Sequence, residues 1–135
     1  MPEERWRQLL PKHLRADPRI VYCETSLASF SPAMYSNMLR TYLNCTPDEV
    51  HHVHASPPCE TLSIASRRKE QVPHFVYGQP NSPLAKQHMR MLCRVLTTLQ
   101  HVHALDGPTH ITAENPVGRF RRLDIVRKLV SDFGW

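Results

Sequence analysis

Between Leu84 and Val102 apolar side chains return every three or four positions: Leu84, Met91, Leu92, Val95, Leu96, Leu99 and Val102, with His88 on the same stripe. That period predicts one amphipathic helix, opened by Ser82-Pro83 as cap and first-turn proline and closed by Asp106-Gly107-Pro108. Met34, Met38, Leu39, Tyr42 and Leu43, following Ser31-Pro32, predict a second helix, and Leu123, Ile125, Val126, Leu129 and Val130 a third that runs to Trp135. Runs of β-branched and aromatic residues predict strands at 19–24, 50–55 and 110–113. Ser56-Pro57-Pro58 ends the second of these abruptly and forces an extended loop. From Thr61 to Pro83 a long connection is expected, of a length that in compact domains is functional or disordered. Residues 1–18, with Trp6, Leu9, Leu10 and Leu14 at helical spacing, read as an N-terminal arm or short helix, and 19–135 as the domain proper. Strand, helix, strand, loop, helix, strand, helix is the order of an α/β fold with a mainly parallel sheet flanked by helices. Ligands of such folds sit outside the carboxyl ends of the strands.

With 135 residues, 41% of them hydrophobic and 21% charged, the chain can bury one modest core. No stretch approaches the roughly 18 uninterrupted apolar residues of a membrane span, and the N-terminus lacks the apolar run of a secretory signal. An intracellular, cytoplasmic or nuclear setting is therefore expected, with no membrane partner. The net charge of +5 is concentrated at Arg67-Arg68-Lys69 and at Arg119, Arg121, Arg122, Arg127 and Lys128, which suits a polyanionic partner. Cys23, Cys45, Cys59 and Cys93 are far apart with no CxxC pair, so reduced thiols are the default. The histidines at 51, 52 and 54 lie near Cys45 and Cys59, but their spacing matches no zinc module.

If the sheet is parallel, Glu24, the loop Ser56-Pro57-Pro58-Cys59-Glu60 and Glu114-Asn115-Pro116 lie along one edge. Two carboxylates and a thiol then meet where an α/β enzyme works. Prolines 57 and 58 stiffen the backbone before Cys59, and a rigid loop is a good mount for a nucleophile.

These segments resemble the DNA cytosine-5 methyltransferases, and most closely their short viral and phage-like members. Ala55-Ser56-Pro57-Pro58-Cys59 is similar to the family's nucleophile loop, and Glu114-Asn115-Pro116 to its second signature. The resemblance implies a partial Rossmann-like class I methyltransferase fold and S-adenosyl-L-methionine as methyl donor. It implies that the Cys59 thiolate attacks carbon 6 of a flipped-out cytosine while Glu114 protonates ring nitrogen 3. It further implies that Glu24 and Pro57 contact the donor. The segment carrying Ser63, Arg67, Arg68 and Lys69 would close over the extruded base, and Arg119 and Arg121 would contact nucleic acid. The sequence departs from the family in one respect that concerns the donor: no glycine precedes Gly78, so the glycine-rich turn that lets the donor approach the backbone has no counterpart. The later arginine-rich motif and the target-recognition region have none either. The expectation is thus a remnant, a truncated product, or one half of a split enzyme completed by another chain or copy. DNA is the expected substrate, with RNA open to the same thiol chemistry. The competing expectation is a non-catalytic nucleic-acid-binding or interaction module that retains the fold.

Overall fold

In chain order the elements are α1 (Glu3–Gln8), α2 (Pro32–Met38), β1 (His52–Ala55), β2 (Phe75–Val76), β3 (Gln79–Pro80), α3 (Pro83–His103), β4 (His110–Ala113) and α4 (Asp124–Phe133). The computed structural model describes residues 2–58, 60–62, 74–105, 110–114 and 120–133. Ser31 caps α2, its hydroxyl accepting from Met34 N at 3.2 Å. The helix widens into a π turn, Leu39–Leu43, and stops at Asn44, whose φ of 49° is left-handed. Ser82 caps α3 in the same way, accepting from Ala85 N at 3.0 Å.

β1 and β4 pair in parallel with His52 opposite His110 and Ala55 opposite Ala113, and α3 is the crossover between them. Strand periodicity divides their side chains cleanly. Val53, Ala55, Ile111 and Ala113 face the core, where they pack on a cluster formed by Leu92, Val95, Leu96 and Leu99 of α3 with Leu123 and Val126 of the C-terminal segment. His52, His54, His110 and Thr112 point the other way and are exposed. The small parallel sheet with helices on one face is a mixed α/β arrangement, as the periodicity predicted.

The expected strand at 19–24 does not form. Asp17 builds a turn instead: its carboxylate accepts from Arg19 N at 2.9 Å, and Arg19 Nη2 donates to it at 2.7 Å. The carbonyl of Ile20, which a sheet ladder would use, accepts from Arg7 Nη2 at 3.1 Å, and the Tyr22 ring lies 5.3 Å from Trp6. Local hydrogen bonds and the side chains of α1 thus take the groups that a neighbouring strand would have paired. The long connection also holds more structure than its sequence suggested. β2 and β3 form a two-residue hairpin through Tyr77 and Gly78, both at positive φ, the turn geometry that matches strand twist. Phe75 reaches the core from it, 6% exposed, and His74 Nδ1 meets the Ser82 hydroxyl at 2.6 Å, tying the hairpin to the start of α3.

Candidate active site

Parallel pairing in register carries β1 and β4 to the same edge of the sheet, and the segments that leave them start side by side. Glu114 N donates to Ala55 O at 2.9 Å, and the Ser56 hydroxyl donates to Glu114 Oε2 at 3.3 Å. The loop after β1 is anchored on both sides of position 59. Pro57 is buried before it; Thr61 and Leu62 are buried after it, and the Thr61 hydroxyl pairs with His88 Nδ1 of α3 at 3.2 Å. Polar His88 thus has a partner of its own on an otherwise apolar stripe.

From Glu114 a row of polar side chains runs back along the exposed sheet face. Ser56 Oγ lies 3.3 Å from His54 Nε2, His54 Nδ1 lies 2.8 Å from Thr112 Oγ1, and the same oxygen lies 2.8 Å from His52 Nε2. The hydrogen-bonding inventory of these groups orders the row. A carboxylate only accepts, so Ser56 commits its one proton to Glu114 and accepts from His54 Nε2–H. Neutral His54 is then an acceptor at Nδ1, Thr112 donates to it, and Thr112 accepts in turn from His52 Nε2–H. Protonating Glu114 permits the reverse order. The arrangement can therefore pass a proton between Glu114 and His52, which stands in solvent. Its members alternate across two strands, so no linear motif announces them. The outward positions of His52, His54 and Thr112 in strict alternation were the available signal.

Behind the loop lies a cavity of about 260 Å³, bounded by Phe30, Tyr35, His54, Pro57, Leu99 and Val102 among others. The Tyr35 hydroxyl is buried there without a hydrogen-bond partner, and burial pushes its pKa above 10.0. The cavity would take a small, mainly apolar group carrying one acceptor for the Tyr35 hydroxyl. It does not fit the whole methyl donor: among the described residues no carboxylate lines it to hold ribose hydroxyls, and no glycine lets a ligand reach the backbone.

Among the sequence-predicted site residues, Pro57 and Glu114 stand at this edge. Glu24 follows an irregular segment rather than a strand; Tyr22 donates its hydroxyl to it at 3.0 Å, which lowers the carboxyl below its usual 4.5. Arg121 is exposed in the turn 120–122 that leads into α4. Cys59, Ser63, Arg67, Arg68, Lys69 and Arg119 lie outside the described residues. Cys23, Cys45 and Cys93 are free and half-buried, and burial raises the Cys93 thiol above 9.0. Among the described residues no three His, Cys, Asp or Glu side chains are grouped to hold a metal ion, and no helix is long and apolar enough to cross a membrane. Compared with family models, with curated proteins and with solved structures, the chain matches none.

Proposed function

We propose that this chain is the pyrimidine-handling part of a DNA cytosine-5 methyltransferase-like enzyme with a partial Rossmann-like sheet. The observation that carries the reading is the register of β1 against β4: Ala55 stands opposite Ala113, so the loop that leads to Cys59 and the backbone of Glu114 leave the sheet as neighbours. A nucleophile and an acid that act on one ring must stand close together, and parallel pairing makes neighbours of Ser56 and Glu114, which are 58 residues apart in sequence.

In the proposed reaction the Cys59 thiolate forms a bond to carbon 6 of an extruded cytosine. The electron pair of the 5,6 double bond moves into the ring, and Glu114 supplies the proton that neutralises it at nitrogen 3. Carbon 5 is then an enamine carbon and nucleophilic. A bound S-adenosylmethionine would supply an electrophilic methyl group to such a carbon. As carbon 5 takes the methyl group, nitrogen 3 returns its proton to Glu114, and release follows when carbon 5 loses its hydrogen to solvent as a proton and the sulfur leaves carbon 6 as thiolate. Glu114 must carry a proton when the thiolate attacks, and the row Ser56, His54, Thr112, His52 offers a path by which it exchanges that proton with solvent. Because the cavity does not fit the whole donor, the carboxylate and glycine turn for it would come from a complementing chain.

Alkylation tests the nucleophile without any donor. Iodoacetamide at pH 7, with peptide mapping by mass spectrometry, should label Cys59 well before the half-buried Cys23, Cys45 and Cys93. A single-stranded oligonucleotide rich in cytosine should slow Cys59 alone, and a thymine oligonucleotide should do so less. A Cys59 rate that cytosine leaves unchanged would overturn the reading.

A further inference from the structure

On the opposite side of α3 from the sheet, Lys86, Arg90 and Arg94 follow one another at intervals of four residues, all exposed. Four residues advance a helix by about 6 Å, so the three cations form a straight row about 12 Å long on one face. Like charges at this spacing repel one another and weaken a helix. Among the described residues no acid is paired with them: there is no Asp or Glu anywhere from Gln71 to Leu105, and the ion pairs join Arg7 to Glu3 and Arg19 to Asp17. The row borders an open groove of about 680 Å³ between α3 and the segment before α2, whose floor includes Phe30, Pro32 and Met89.

We infer that this groove binds a single strand of nucleic acid, its phosphates along Lys86, Arg90 and Arg94 and its bases against the apolar floor around Phe30. The inference stands apart from the Cys59 chemistry and uses none of its residues. A row of cations alone would take any polyanion; an apolar floor with an aromatic ring beside the row is what separates a strand carrying bases from an acidic peptide. None of these residues belongs to the basic clusters that the sequence displays at 67–69 and 119–128.

The test compares the full-length chain with two charge-matched triple variants. One removes the row, Lys86→Gln with Arg90→Gln and Arg94→Gln; the other removes three exposed cations elsewhere, Arg5→Gln with Lys12→Gln and Arg40→Gln. Circular dichroism confirms that each is folded, and anisotropy of a labelled 12-mer of deoxythymidine is followed against salt. Each phosphate of a single strand that no longer meets a cation lowers the slope of log K against log salt by about 0.7, so the row variant should lose about 2 from the slope and the control variant nothing. An abasic 12-mer should bind the wild-type chain at least tenfold more weakly than the thymidine strand, as loss of a stacked base requires. Equal loss of slope in both variants would show a diffuse charge effect and overturn the inference. So would an abasic strand that binds as well as the thymidine one, or a polyglutamate peptide of equal length that competes equally.

Discussion

Glu114 and Ser56 show how one acceptor-only group imposes order on its neighbours. With Glu114 ionised, His54 should carry its proton on Nε2 and accept at Nδ1. Long-range nitrogen–proton NMR correlations at pH 8 read the tautomer directly. Ser56→Ala should remove the bias and let both tautomers appear, whereas Thr112→Val should leave Nε2–H in place. An Nδ1–H tautomer in the wild type would mean that the row runs the other way. The two motifs from which the site was expected, Pro57-Pro58-Cys59 and Glu114, were legible because each is a contiguous run of residues. The row that runs back from Glu114 was not, since His52, His54 and Thr112 become neighbours only once β1 and β4 are paired in register.

At the scale of elements, α3, β1 and β4 were readable because their side chains bury in the period that their backbones impose. Leu92 and Leu96 are nearly inaccessible, at 0% and 1% exposure, as the helical stripe requires. Leu96→Ala should cost about 2–5 kcal/mol by leaving a cavity, and Ser82→Ala about 1 kcal/mol by removing the cap of α3 and the tie to His74. Denaturant unfolding measures both; a Leu96→Ala effect below that of Ser82→Ala would contradict the core placed here. Residues 19–24 misled because strand propensity records only a fit to a half-buried pleated surface. Asp17, Arg7 and Trp6 offered that segment other partners, and none of them lies within the run itself. The same contacts make the arm sensitive to pH. Tyr22 lowers the Glu24 carboxyl from 4.5, so their link is fully present above pH 4.5 and is lost as pH falls through the lowered value. The Tyr22 phenol is raised above 10.0 by burial first and by Glu24 second, so the link is lost again as pH climbs through that raised value. Carbon-detected NMR should place the Glu24 midpoint below 4.5 in the wild type and move it back toward 4.5 in Tyr22→Phe.

Over the whole molecule, two parallel strands and the helices packed on one face hold two segments in apposition and leave the opposite face polar. A parallel sheet normally buries both faces, and here one carries three histidines and a threonine in solvent. The proposed nucleophile and acid, Cys59 and Glu114, can be tested without any donor. Without donor, attack at carbon 6 followed by protonation at carbon 5 from solvent, loss of the original hydrogen and departure of the sulfur exchanges the carbon 5 hydrogen of cytosine. Incubating the chain with a cytosine oligonucleotide in heavy water and weighing the recovered bases by mass spectrometry therefore measures the central claim. The expected result is a gain of one deuterium per reacting cytosine, abolished in Cys59→Ala and slowed by about 10²–10⁴-fold in Glu114→Gln. No exchange above the Cys59→Ala background, from folded protein with the oligonucleotide in excess, would contradict the account.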